Sequence, residues 1–133
     1  MSTSNQFPSH GTPRAFERLM QTSVYRDGQF CAWAGAVVGI VGAGTTGGRL
    51  AAEAVLSGVG EVRIFDPAVA KAATGGNQLA EPGEVKVESI CRRCDAIRAG
   101  HARGYCVDIR HAGVRALWEC AVIVDCTDDA QLV

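Results

Sequence analysis

This sequence has no dominant charge of either sign, and that balance already removes some partners. Thirteen lysines and arginines stand against 14 aspartates and glutamates, for a formal net charge of −1. Nucleic acid and anionic membrane surfaces both favour a basic face, so neither is expected as a partner. An export signal is also missing. Residues 1–13, MSTSNQFPSHGTP, are polar and rich in Ser, Pro and Thr. They lack a charged start and an apolar run, and their composition predicts a disordered leader. No long hydrophobic run replaces the signal: the nearly uncharged stretch from Gln29 to Gly48 is broken by six glycines and makes a poor membrane span. Six cysteines are present, several of them inside apolar runs such as the one ending at Cys126. Without an export signal they predict reduced thiols in a cytoplasmic protein. Cys91 and Cys94 form a single Cys-x-x-Cys pair with no second pair to complete four ligands, so no zinc is expected. Their place on the apolar stripe of a helix predicts buried core thiols.

What is present suits one domain over residues 14–133. The chain has 133 residues, 47% of them hydrophobic, enough for a core at this size. Residues 14–34 mix apolar and charged positions without a clean period, with a short helix at Ala15–Thr22 as the one candidate. Ala36–Val41 is a short β-branched run that suits a strand buried on both faces. Gly42–Gly48 is glycine-rich, and Arg49–Leu56 is a helix former stopped by Ser57 and Gly58. Glu61–Asp66 is a second strand and Pro67–Gly83 a long loop. Lys86–Ala99 is a helix with apolar positions at Val87, Ile90, Cys91, Cys94 and Ile97. Gly104–Ile109 reads as a third strand, Ala112–Trp118 as a short helix and Ala121–Cys126 as a fourth strand. This alternation predicts a three-layer, Rossmann-like α/β fold. Its mostly parallel sheet of about four strands takes the order 3-2-1-4.

Gly42-x-Gly44-x-x-Gly47 follows a strand and opens a helix. Gly42 allows the tight turn, Gly44 lets the backbone approach a phosphate, and Gly47 permits close helix–strand packing. The pattern alone is weak; strand, turn, helix, second strand and terminal acid in order are stronger. The acid is Asp66, 24 residues after Gly42, against a usual spacing of about 20. It is placed to accept hydrogen bonds from both ribose hydroxyls. Lys86, at a helix start where the dipole disfavours a cation, gains a reason to be there if a phosphate lies beside it. Asp125 and Asp128 lie at the C-terminal end of the fourth strand, Asp129 adds a third carboxylate, and clustered acids suit magnesium. Taken singly, each also has a bland reading: the glycines as a turn with no ligand, Asp66 as a cap on the strand end, and Lys86 and the later aspartates as solvated surface.

Four segments, Val38–Gly48, Ser57–Pro67, Gly83–Glu88 and Ile123–Asp129, come in an order that resembles the ThiF/MoeB/HesA family, the adenylating domain of ubiquitin-activating-like enzymes. The resemblance runs from about Phe16 to Asp129. It implies ATP with Mg2+ as cofactors, and as partner a small ubiquitin-like or sulfur-carrier protein whose C-terminal carboxylate is adenylated. A homodimer or a full-length partner is implied as well. By position, Gly42, Gly44 and Gly47 would line the ATP loop, with Gln78 and Asn77 in the phosphate loop. Asp66 would hold ribose, Lys86 would contact phosphate and Asp128 would help hold magnesium. Arg18 falls where the family places an arginine that reaches a partner subunit's site. Two departures point toward weak catalysis: Asn77 stands where the family has arginine, and Ala68 where it has a second acid. The family's later half, with the carrier groove, is not represented, so a truncated relative that binds nucleotide without turnover is one expectation. An NAD-binding oxidoreductase or sensor domain is another, because the same glycine loop would serve it.

Overall fold

The computed structural model describes residues 29–72, 78–110 and 114–128. The leader at 1–13, the helix expected at Ala15–Thr22, Arg18, Asn77 and Asp129 lie outside these residues.

The chain enters through a helix, α1 (Gln29–Gly35), and passes into β1 (Val37–Val41). The β-branched run becomes the centre of the sheet: Val38, Ile40 and Val41 are buried. After the glycine turn, α2 (Thr45–Leu56) crosses back and leads into β2 (Glu61–Phe65). The loop that follows folds onto itself. Val69 bridges Val85 in antiparallel fashion, and Lys86 N donates to the Ala68 carbonyl at 3.0 Å. Next come α3 (Lys86–Ile97), β3 (Ala102–Tyr105), the one-turn α4 (Arg115–Trp118) and β4 (Val122–Asp125).

The four strands form one sheet in the order β3-β2-β1-β4 with every pairing parallel. The order and direction are those expected from the alternation. Helices α2 and α3 pack on one face over Val38, Ile40, Val62 and Ile64, with Val55, Val87, Ile90 and Cys94 from the helix side. Burying these side chains supplies the main stabilising term, at about 25 cal/mol per Å² of apolar surface removed from water. The other face is more polar and is crossed by α4. Arg63 donates there to the Ala116 carbonyl at 2.7 Å and to Glu119 at 2.8 Å. Leu117 and Cys120 approach β1 so closely that a Cβ on Gly39 would lie 2.9 Å from the Cys120 sulfur.

Several boundaries differ from expectation: α2 begins at Thr45 rather than Arg49, inside the glycine-rich segment, and β3 begins at Ala102 rather than Gly104. Helix α1 forms within a stretch that has no apolar period; its Trp33 indole donates to Ser57, which locks it onto the end of α2. Strand β3 ends at Tyr105, where the expectation continued to Ile109. Its apolar continuation turns away because Val107 N bonds back to the Tyr105 carbonyl. The short helix expected from Ala112 is α4 over Arg115–Trp118, with residues 111–113 outside the described set. Cys94 is fully buried, and Cys91 packs partly buried against the same core. Burial pushes the Cys94 thiol up to about 11 and the Cys91 thiol up to about 12.

Candidate active site

The sheet order reverses direction at β1, since β2 and β3 lie on one side of it and β4 on the other. The crevice at the carboxyl ends of β1 and β4 is therefore the topological switch point where open α/β sheets take ligands. Three chain segments converge there: the turn after β1, the end of β2, and Cys126–Asp128 after β4.

The turn after β1 is set by backbone needs. Gly42 has φ +95°, a conformation that side chains rarely adopt, and a Cβ there would meet the Cys126 carbonyl oxygen at 3.0 Å. At Gly47 a Cβ would lie 1.7 Å from the Gly42 carbonyl oxygen, so the helix start and the turn touch backbone to backbone. Gly44 differs: a Cβ there meets nothing within 4 Å among the described residues, leaving open space over the helix N-terminus. Gly44 is also the N-cap of α2, and no side chain caps that end. The first amides of a helix with no capping side chain are suited to meet an anion.

Asp66, just past β2, is fixed from two directions. One carboxylate oxygen accepts from Ala43 N at 2.8 Å and the other from Ala68 N at 2.8 Å. These bonds tie the acid to the glycine turn on one side and to the folded loop that carries Lys86 on the other. A carboxylate has about four acceptor sites, so capacity remains for a ligand hydroxyl.

A cleft of about 400 Å³ opens between these segments, lined by Gly42, Gly44, Asp66, Gln78, Lys86 and Asp128, with Thr45, Thr46, Cys126 and Thr127. Of the described site residues expected from the sequence, Gly47 and Asp125 do not line it: Gly47 lies just behind the wall, under Gly42, and Asp125 is turned to Thr127. The Gln78 side-chain oxygen is buried with no hydrogen-bond partner among the described residues. Lys86 opens α3 at a helix N-terminus without a side-chain cap. Asp128 is exposed at the cleft mouth. No cluster of three or more potential metal ligands occurs among the described residues.

A second, smaller pocket of about 180 Å³ adjoins the first across Asp66. Its walls include Val41, Phe65, Val107, Asp108, Ile109 and Arg110. Phe65 stacks on Tyr105 with ring centroids 4.8 Å apart, which stiffens its floor. Asp108 and Arg110 form a close ion pair at 2.6 Å on this wall. Sequence reasoning missed these residues, because reading the apolar run through Ile109 as strand hid the turn that brings them here. Asp108 inside that run was the available signal, since aspartate is unusual within a central strand.

At the end of β4, Asp125 accepts at one oxygen from both Thr127 N, at 2.9 Å, and the Thr127 hydroxyl, at 2.7 Å. Those bonds hold its carboxyl below the usual carboxylate range. Burial raises the Cys126 thiol beside it. Cys91 and Cys94 do not line the cleft.

No family model and no curated protein matches the sequence. Solved structures do match the fold. Tertiary similarity to the E. coli tRNA N6-threonylcarbamoyladenosine dehydratase TcdA has a TM-score of 0.74 at 17% identity, over 86% of this chain and 50% of that one. The same enzyme in complex with AMP gives 0.70 at 18% identity, over 80% and 46%. E. coli MccB with ATP gives 0.56 at 22% identity, over 60% of this chain and 25% of that one. The chain spans about half the length of TcdA and a quarter of MccB. The described chain thus has the fold of one part of TcdA and MccB, a parallel α/β sheet with its crevice between β1 and β4.

Proposed function

We propose that the cleft binds ATP with magnesium, and that the chain is the nucleotide-binding domain of an adenylating protein that activates a small ubiquitin-like or sulfur-carrier partner. The observation that carries this reading is the convergence of Gly44, Asp66, Gln78, Lys86 and Asp128 on one cleft at the switch point. The open space over Gly44 suits a phosphate against the helix amides. Asp66 is oriented for ribose hydroxyls, and the apolar pocket of Val41, Phe65, Val107 and Ile109 is of the chemistry a purine base requires. The orphaned Gln78 oxygen fits a donor from the ligand or its hydration shell. The structures of TcdA with AMP and MccB with ATP share the fold and favour this nucleotide over NAD.

The donor set fits magnesium as well. This ion is usually held by one or two carboxylates together with substrate phosphates, so Asp128 alone at the cleft mouth is sufficient on the protein side. When bound, magnesium would supply Lewis-acid neutralisation of the phosphates. The chain's own residues position the nucleotide: Asp66 fixes the sugar, the α2 amides and Lys86 face the phosphates, and Asp128 holds the metal side. A carrier carboxylate would then attack the α-phosphate in line, with pyrophosphate leaving. Asn77 in place of an arginine and Ala68 in place of a second acid weaken charge neutralisation, so turnover by this chain is expected to be slow.

The test is nucleotide affinity in Asp66→Asn, measured by calorimetry beside the unaltered chain. Loss of charge-assisted hydrogen bonds should weaken ATP binding by roughly 1–3 kcal/mol. Unchanged affinity would remove Asp66 from the site and the reading with it.

A further inference from the structure

Three residues line both the large cleft and the apolar pocket: Gly42, Asp66 and Thr127. The turn and the sugar contact account for the first two. Thr127 sits at the junction of the compartments and is bonded to Asp125. Both its amide and its hydroxyl donate to a single oxygen of Asp125, at 2.9 and 2.7 Å. That pair of bonds leaves the hydroxyl turned to Asp125 and the methyl turned to the glycine turn. The methyl carbon lies 3.1 Å from where a Cβ on Gly42 would stand. Asp125 is itself anchored in register with Val41, the residue before the turn, and Cys126 N bonds to the Val41 carbonyl at 2.8 Å.

Building on the nucleotide reading above, we propose that Asp125 is a positioning residue for the nucleotide, acting through Thr127. It locks the threonine methyl against the glycine turn, which sets the width of the passage between the base pocket and the phosphate cleft. The same lock fixes the start of the segment that carries Asp128 into the cleft. A nucleotide has to thread this passage with its sugar beside Asp66, so its affinity depends on a side chain that does not line either compartment. Neither charge repulsion nor metal binding by Asp125 is needed: its oxygen works as a hydrogen-bond acceptor, and a neutral amide oxygen at the same place would do the same.

The experiment is calorimetric binding of ATP·Mg, with melting temperature measured in parallel, for the unaltered chain, Asp125→Ala, Asp125→Asn, Thr127→Val and Thr127→Ser. Asp125→Ala and Thr127→Val should each weaken binding by about tenfold, the scale of one hydrogen bond. Asp125→Asn, which keeps the acceptor, should stay within about threefold, whereas Thr127→Ser keeps the donor but loses the methyl that sets the passage and should weaken binding as Thr127→Val does. Thr127→Val is isosteric and carries the test if Asp125→Ala fails to fold. Full affinity in Thr127→Val overturns the positioning role while leaving the nucleotide reading intact. Asparagine as weak as alanine at 125 also overturns it, because charge rather than acceptor geometry would then matter. No ATP binding by the unaltered chain overturns the nucleotide reading, and this proposal with it.

Discussion

A methyl group placed on Gly47 and one placed on Gly44 meet opposite surroundings. At Gly47 it would overlap the Gly42 carbonyl oxygen at 1.7 Å, and that oxygen is backbone that cannot swing aside. Gly47→Ala is therefore expected to destabilise the fold by about 3 kcal/mol or more, at the upper end of overpacking costs. At Gly44 the methyl would enter open space, on a residue with φ −79° that any side chain tolerates. Gly44→Ala should change stability by less than about 1 kcal/mol, the scale of an N-cap substitution, while blocking phosphate approach. Urea unfolding and ATP titration on the two variants check both statements. Equal effects on stability would contradict the division of labour among the glycines. Gly42 and Gly47 were legible in the sequence because backbone chemistry restricts what those positions tolerate, while Asp66, Lys86 and Asp128 were expected from their places at strand and helix ends and from the family resemblance. Thr127 and Val107–Arg110 were not, since their roles come from where a turn places them and no residue type announces it.

At the scale of elements, helix α3 and the polar face of the sheet make separate predictions. The apolar period of α3 was legible in the sequence, and Cys91 and Cys94 sit on it as expected, with thiols pushed up to about 12 and about 11 by burial. The thiolate is the nucleophile, so iodoacetamide at pH 8 should modify exposed Cys106 well before Cys91 or Cys94, as read by peptide mass mapping. Prompt labelling of Cys91 in the folded chain would contradict the packing of α3. On the other face, Arg63 ties β2 to α4 through Glu119 and the Ala116 carbonyl. That arginine holds the Glu119 carboxyl below the usual range. A carboxyl depressed in the folded state adds stability above its unfolded pKa, near 4.3. That contribution is lost as pH falls through the folded value. Urea midpoints should therefore fall below about pH 4, and Glu119→Gln should flatten that part of the curve. This coupling was not visible in the sequence, because Arg63 and Glu119 meet only after α4 folds across β2. The extent of β3 was misread for a related reason: β-propensity continues past Tyr105, but the chain's hydrogen bonds turn it.

At the scale of the whole molecule, a β-α-β alternation with right-handed crossovers leaves few topologies open, and the order β3-β2-β1-β4 was readable from it. The same order places the crevice between β1 and β4 and so selects which loops meet. Residues far apart in sequence, Gly44, Asp66, Lys86 and Asp128, become neighbours because they sit at or beyond the carboxyl ends of parallel strands. The central claim is that this convergence makes an ATP site. Its most direct measurement is calorimetric titration of the chain with ATP·Mg and, separately, with NAD, repeated on Gly44→Ala. The account predicts that ATP·Mg binds more tightly than NAD and that Gly44→Ala weakens ATP binding by about tenfold or more, the scale of one lost phosphate contact. Tighter binding of NAD, or ATP affinity untouched by the alanine methyl, would contradict it.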